Sequence, residues 1–357
     1  MPPFGAAIAY SILIFWSAFV IFPAYWFTLS AFKDGNTDYS DPHYVPFVDF
    51  QPTLDVWRYM FNYYPNCNVD DIARNLLLMI NNSAAYVLSP IVHIDLMEPR
   101  ICRLWQAVTN SLVTSIGATA LSISIGSMAA YALARFQYKP KYSSIITFVA
   151  LCCGMIVTTS YLGAPWYLSS TVALVLLFLL ARSLGKYFTA TVGNGAILFW
   201  IISPRILPPM VVAIPIYMMF QSLGLLDTVG ALIIVHAAIN LPIVVWLMHE
   251  CFSGVPIELE ESALLEGATR FAIFWEIVLP LTRPGLAATA LLCLILSWND
   301  YIFAVFLTTR DAPTLPVFAE MWGESTVILV MIVPPIIMAA ILQRYISSGA
   351  LLGGVKV

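Results

Sequence analysis

The sequence predicts an all-α membrane protein that crosses the bilayer several times. Of the 357 residues, 60% are hydrophobic and only 10% are charged, whereas about a quarter of the residues of an ordinary soluble domain are charged. The mean hydropathy is +0.85. Stretches almost free of charge recur along the chain, and each has the roughly 18 or more residues needed to cross ~30 Å of hydrocarbon. We therefore expect about eight transmembrane helices.

The spans are predicted near residues 8–32, 106–135, 143–163, 166–182, 195–221, 229–249, 285–308 and 325–343. The first has neither a basic leading segment nor a small-residue cleavage site, so we expect a retained span rather than a signal peptide. The fourth has the shortest apolar core, and 14 residues rise only about 21 Å as a helix. Residues 143–182 therefore form either two crossings or a re-entrant hairpin, and both preserve the sidedness of the later loops.

Lysine and arginine in the short loops set the predicted orientation, because such residues are retained on the cytoplasmic side. One set of alternate loops is rich in them: Arg135, Lys139, Lys141, Arg182, Lys186, Arg270, Arg283, Arg344 and Lys356. The short loops of the opposite set contain only Arg310. We therefore expect both termini and the 250–284 loop to be cytoplasmic.

The long 33–105 loop is predicted to be a small external subdomain. Its nine acidic and five basic residues do not decide its side, since loops longer than about 60 residues translocate largely regardless of charge. Cys67 and Cys102 lie in it, and whether they form a disulfide stays open. No cysteine or histidine spacing in the chain is typical of a metal site, so we expect none.

The most charged run between two long spans covers residues 256–280, here called the charged loop. Pro256 is predicted at the start of a helix, and the glutamates at 258, 260 and 261 place negative charge near its positive end. Gly267 can adopt a positive φ and lets another chain approach closely. Thr269 is predicted to cap a second short helix, which Pro280 ends. The acidic residues alone would also suit a plain solvated loop at the membrane surface.

The spacing within this loop narrows the choice. Glu261-Ser262-Ala263 is followed by Glu266-Gly267 and, nine residues later, by Ile277, Leu279 and Pro280. This pattern resembles the EAA signature of permease subunits of bacterial binding-protein-dependent ABC importers, with Ser262 at a usual alanine and Glu266 at a common aspartate. Segments 129–136, 207–217 and 297–300 are similar to the carbohydrate branch, in particular to the smaller maltose-type permease.

The resemblance implies a six-helix permease core, formed by the first helix (1–32) and residues 106–357, with an inserted helix pair at about 140–195. It also implies that the chain lies in the bacterial plasma (inner) membrane and that its charged loop docks on a cytoplasmic ATPase. The implied partners are a second permease, two ATPase subunits and an external binding protein for a sugar, oligosaccharide, polyol or similar solute. ATP and Mg are expected on the ATPase, because this chain lacks the G-x-x-x-x-G-K-[ST] phosphate loop. The chain itself is expected to be no enzyme and to bind no cofactor, and its net charge of -4 gives no footprint for nucleic acid.

Polar residues inside predicted spans are the remaining candidates, since such residues are costly in lipid. Asn240, Asn299 and Asp300, with Arg205 among prolines, either line a pathway or permease contact or form hydrogen bonds between helices. His236 is predicted to be packed between helices.

The alternative function is an ion-gradient-driven secondary transporter, which needs ionisable residues at the midplane. Asp300 is the only carboxylate well inside a predicted span. A membrane-embedded enzyme would need paired carboxylates or a metal set, which the sequence does not offer.

Overall fold

A computed structural model describes residues 3–33, 44–55, 57, 103–138, 146–151, 153–155, 171–176, 193–308, 311–322 and 325–347. In these ranges the regular structure is helical, apart from one isolated bridge between Pro46 and Phe50. Most of the predicted external loop, with Cys67 and Cys102, and most of the predicted pair at 143–182 lie outside the described residues. The described parts of that pair, 146–151, 153–155 and 171–176, are helical.

The helices follow one another along the chain as α1 (Pro3–Ser30), α2 (Arg103–Arg135), α3 (Asn194–Ile202), a 3₁₀ helix (Ser203–Ile206), α4 (Pro209–Ser222), α5 (Val229–Ser253), α6 (Ile257–Leu265), α7 (Arg270–Ile273), a π-helix (Phe274–Val278), α8 (Leu279–Leu281), α9 (Arg283–Trp298), α10 (Ile302–Leu307), α11 (Leu315–Trp322) and α12 (Ser325–Ser347).

Four described helices are long and apolar enough to cross a membrane: Ile8–Ser30, Leu104–Arg135, Val229–Ser253 and Thr326–Gln343. The number rises to six if each of two bent helix pairs, α3 with α4 and α7–α8 with α9, counts as one span. Several of these helices contain proline, as α5 does at Pro242, which membrane helices tolerate. The chain is an all-α membrane protein, as its composition predicts.

Two predicted spans, 195–221 and 285–308, are not continuous helices as the sequence predicts. The 195–221 span breaks at residues 207–208, between the 3₁₀ helix and α4, because Pro208 and Pro209 supply no backbone N–H. The 285–308 span ends its helix at Trp298 and resumes at Ile302. Asp300 Oδ2 accepts hydrogen bonds from the backbone N–H groups of Phe303 (3.1 Å) and Ala304 (3.4 Å), and an aspartate that bonds locally to backbone competes with a continuous helix.

Two compact units account for the chain. The first comprises residues 1–124, 207–241 and 284–351. In it α1 packs against α12, and α4 packs against α10. Asp227 ties two of its connections together: its N–H donates to Leu307 O (2.7 Å), and its carboxylate accepts from the N–H groups of Asp311 (3.0 Å) and Ala312 (3.1 Å). Ser111 Oγ on α2 accepts from Leu315 N (2.7 Å), so the segment before α11 is held on both sides.

The same unit contains a turn at residues 44–50 that contacts the end of α1. Asp49 Oδ2 accepts from the N–H groups of Tyr44 (2.9 Å) and Val45 (2.8 Å), and the Tyr25 hydroxyl donates to Tyr44 O (2.7 Å). Lys33 Nζ lies 4.6 Å from the centre of the Trp26 ring, a cation–π distance. These contacts fix the turn against the end of the first span.

The second unit comprises residues 125–206, 242–283 and 352–357. Its described part contains the ends of α2 and α5, α3, the 3₁₀ helix and the charged loop. The Asn194 side chain donates to Leu133 O (2.7 Å) and Phe136 O (2.8 Å) and accepts from Tyr138 N (2.9 Å). One side chain thereby satisfies carbonyl groups at the end of α2, which have no partner within the helix.

Candidate functional site

The charged loop has the predicted form of two short helical arms that meet at Gly267. The first arm, α6, ends at Leu265, and Gly267 has φ +90°, a conformation that glycine adopts without strain. The N–H of Ala268 donates to Ala263 O (3.0 Å), which satisfies a terminal carbonyl of α6. Pro256 caps α6 instead of occupying its first turn as predicted, a difference of one residue.

The second arm starts at Thr269, whose hydroxyl oxygen accepts from Ala272 N (3.2 Å), so the predicted cap is confirmed. The second arm ends at Leu281, one residue beyond the predicted end at Pro280. The π-helix Phe274–Val278 precedes it, and helical structure continues to Leu281. A proline clashes with the carbonyl four residues earlier in a regular α-helix, and a π-turn widens the backbone there. The widened turn explains why the helix passes through Pro280.

The eight residues of the predicted signature divide between surface and interior. Half are exposed to solvent, namely Glu261, Ser262, Glu266 and Gly267, and half are partly buried, namely Ala263, Ile277, Leu279 and Pro280. A Cβ added at Gly267 would meet nothing within 4 Å. Among the described residues, none fills the space above the bend.

Large apolar side chains are exposed on the same loop. Leu265, two residues before the bend, has 91% of its surface exposed, and Phe271 on the second arm has 62%. Ile257, Leu259 and Trp275 are also exposed. Large exposed apolar side chains near acidic ones are compatible with a contact surface for a protein or for a membrane.

The interior side of the loop contains a buried charge cluster that sequence reasoning missed. Glu260 on α6 is fully buried, with 0% exposure. Its carboxylate accepts from Arg135 Nε at 2.5 Å and from the Tyr131 hydroxyl at 2.7 Å. Arg135 also donates to Val255 O at 2.9 Å. Because a buried charge requires a partner and hydrogen bonds, this cluster joins α6 to the end of α2.

An aromatic group packs beside that cluster. The rings of Tyr131, Phe252 and Phe274 lie 5.1–6.0 Å apart, centre to centre, at distances where aromatic pairs attract one another. They come from the ends of α2 and α5 and from the π-helix. On the second arm the Arg270 guanidinium lies 5.8 Å from the centre of the Phe136 ring. The loop is therefore a packed structure built onto two helix ends.

The helical spacing of the sequence indicates that Glu260 lies on the inward face of α6. Residues 260, 263 and 264 lie three and four positions apart and share one face, and all three are buried or partly buried, whereas Glu258 and Glu261 are exposed. The sequence analysis gives Glu258, Glu260 and Glu261 the same predicted role, negative charge near the start of the helix. Only the packing against α2 distinguishes them.

Among the candidate residues of the membrane spans, Asn240 is buried on α5 and bonds to α9. Its Nδ2 donates to Ser297 Oγ (2.7 Å) and has a longer contact with Cys293 O (3.4 Å). This is the hydrogen bonding between helices that the sequence left as one of two readings.

Asp300 lies in the break between α9 and α10, not in mid-helix as predicted. Besides capping α10, its Oδ2 is 3.0 Å from His236 Nε2, and His236 Nδ1 is 2.7 Å from Leu232 O. His236 is thus buried and packed between helices, as predicted. Asn299 is exposed in the same break.

Arg205 lies on the 3₁₀ helix that interrupts the predicted 195–221 span, and its side chain is exposed. The helix is interrupted beside it at residues 207–208. Arg205 belongs to the second compact unit, whereas Asn240, Asn299 and Asp300 belong to the first. Among the described residues no group of three or more His, Cys, Asp or Glu side chains is arranged to hold a metal ion.

Several apolar helices and a packed, charged loop between two of them define a multi-pass integral membrane protein. Comparison with known proteins gives its family. A profile described as "Binding-protein-dependent transport system inner membrane component" matches residues 178–351. The chain belongs to this family, and its predicted resemblance to ABC importer permeases is confirmed.

Three relatives illustrate the similarity. The "Probable ABC transporter permease protein y4oR" of Sinorhizobium fredii is 33% identical over 197 residues, 52% of this chain and 71% of that protein. The trehalose/maltose transport system permease protein MalG of Thermococcus litoralis is 30% identical over 54% of this chain and 76% of its own length. The diacetylchitobiose uptake system permease protein NgcG of Streptomyces coelicolor is 24% identical over 96% of this chain and 86% of its own length.

Proposed function

We propose that this chain is a transmembrane subunit of an ATP-driven importer and forms half of a solute pathway across the bacterial inner membrane. Its charged loop engages a cytoplasmic ATPase, which binds ATP and Mg and performs the hydrolysis. Closure of two ATPase subunits would move the spans as rigid bodies, so that the pathway opens alternately to the two sides. A second permease and an external solute-binding protein complete the assembly, and both termini of this chain face the cytoplasm.

The observation that carries the proposal is Leu265, which is 91% exposed beside the open bend at Gly267. A leucine on a rigid loop outside the membrane gains roughly 1.5–3 kcal/mol when a partner covers it fully. No atom that the structure describes lies within 4 Å of a Cβ added at Gly267, which leaves room for that partner to approach the backbone. Both features lie within the signature spacing Glu261–Pro280.

The solute is proposed to be a sugar, oligosaccharide, polyol or similar molecule. The names of two relatives support this class, since one is named as part of a trehalose/maltose transport system and another as part of a diacetylchitobiose uptake system. Asn240, Asn299, Asp300 and Arg205 remain proposed pathway or permease-contact residues. Asn299 suits that role best, because it is exposed at a helix break. The family assignment does not favour the ion-gradient alternative, in which uptake would survive depletion of ATP while the gradient is maintained.

The proposal is tested by Gly267→Asp, with Gly224→Asp as a matched control. Both glycines have a positive φ, +90° and +67°, and neither has an atom within 4 Å of an added Cβ, so the two substitutions are similarly strained within this chain. Gly224 lies outside the charged loop. We expect Gly267→Asp to abolish co-purification of the ATPase and ATP-driven uptake, and Gly224→Asp to preserve both. Normal ATPase binding and uptake in Gly267→Asp would contradict the proposal.

A further inference from the structure

We propose that Glu260, held by Arg135 and Tyr131, is the positioning residue through which movement of the charged loop reaches the membrane helix α2. The inference rests on the proposed function, because it concerns how the force of an ATPase enters this chain. It assigns a role to Glu260, which is buried in this chain and so is not available to contact the ATPase.

The cluster lies at the junction of two elements. Glu260 is in the first turn of α6, and Arg135 is the last residue of α2, a helix that continues without a break from Arg103. The contacts are direct, at 2.5 Å for Arg135 Nε and 2.7 Å for the Tyr131 hydroxyl, one to each carboxylate oxygen. A displacement of α6 therefore acts on the end of α2 through two charge-assisted hydrogen bonds, which are short and strong.

Arg135 makes the connection stiffer because it contacts both the charged loop and Val255, the residue directly before it. Its Nη2 donates to Val255 O (2.9 Å), at the end of the connection that leads from α5 into α6. Its side chain is only 7% exposed, and that of Glu260 is 0% exposed. Water has little access to compete for these bonds, so sliding between α6 and α2 would strand a buried charge.

The aromatic contacts that the structure describes beside the cluster hold the second arm and involve no residue of α6. The rings of Tyr131, Phe252 and Phe274 are apolar contacts and can slip over one another, since they have no fixed bonding direction except at the Tyr131 hydroxyl. Glu258, Glu261, Glu266 and Glu276 are exposed. In the part of the chain that the structure describes, Glu260 is thus the loop carboxylate that is buried.

The experiment measures coupling, defined as solute imported per ATP hydrolysed, in the complete complex reconstituted in lipid vesicles with its binding protein. Glu260→Gln keeps the shape and one acceptor for Tyr131 but removes the charge. We expect complexes of this variant to assemble and hydrolyse ATP, with coupling lowered about tenfold because the ion pair is lost. Glu258→Gln, an exposed glutamate in the same turn, is the matched control and should leave coupling unchanged.

Tyr131→Phe is the second variant, because it retains the ion pair and the aromatic contacts while it removes one hydrogen bond. We expect it to assemble normally with coupling lowered about two- to threefold. A merely structural cluster would reduce the amount of assembled complex and leave coupling per assembled complex unchanged. Unchanged coupling in Glu260→Gln overturns the inference, and if that variant does not assemble, unchanged coupling in Tyr131→Phe overturns it. A wild-type complex without ATP-driven import would instead refute the proposed function itself.

Discussion

At the residue scale, polar side chains in this protein act mainly by satisfying the backbone of another segment. Ser111 accepts from Leu315 N, Asn194 serves three backbone groups at the end of α2, and Thr269 caps α7. Each supplies a hydrogen-bond partner to backbone groups at or beside a helix end, which the helix itself leaves unpaired. The sequence could predict Thr269 because a cap is a local pattern. It could not predict the partners of Ser111 and Asn194, which lie 204 and up to 61 residues away.

Ser111→Ala is predicted to destabilise the protein, and Thr114→Val to leave it unchanged. Both side chains are buried on α2. The alanine would strand Leu315 N–H at a cost of about 1–3 kcal/mol, whereas Thr114 Oγ1 has no hydrogen-bond partner in the structure, so valine removes nothing. Thermal unfolding in detergent, followed by loss of the monodisperse species, measures both. A larger loss of stability in Thr114→Val than in Ser111→Ala would contradict this assignment.

At the element scale, the differences between prediction and structure come from helix ends. Apolar composition continues from 285 through 308, so hydropathy alone predicts one span. The break at residues 299–301 depends on Asp300 bonding to the backbone of α10 and to His236, contacts that periodicity does not encode. The bend at Gly267 was predictable, because it follows from the backbone freedom of a single residue. The course through Pro280 was not, because it requires a π-turn.

The connections of the first unit supply a prediction at this scale. Asp227 holds Asp311 and Ala312 through its two carboxylate oxygens, and its own φ of 59° suits aspartate or asparagine better than most residues. Asp227→Ala should release residues 311–315, with faster hydrogen exchange there than in the wild-type chain. Asp227→Asn keeps one acceptor and the backbone preference, so an intermediate rate is expected. Equal exchange in all three proteins would show that this carboxylate does not restrain the segment.

At the scale of the whole molecule, composition was sufficient for the class, because a membrane span requires only a run of apolar residues of the right length. The spacing of the charged loop was sufficient for the family. The fixing of that loop to α2 could not be predicted, since it depends on which of three neighbouring glutamates faces inward. The sidedness of the loop remains a prediction from the distribution of lysine and arginine.

The central claim is that the charged loop lies on the cytoplasmic side and is covered there by the ATPase. It is tested most directly by labelling Leu265→Cys with a membrane-impermeant thiol reagent, in a chain whose six natural cysteines are replaced. Ser222→Cys serves as the outside control, because Ser222 is exposed at the end of α4 and beside the connection to α5 that is predicted to lie outside. We predict that Leu265→Cys reacts only in inside-out vesicles stripped of the ATPase and is protected when the ATPase is restored, whereas Ser222→Cys reacts in intact cells. Reaction of Leu265→Cys from outside intact cells would contradict the account.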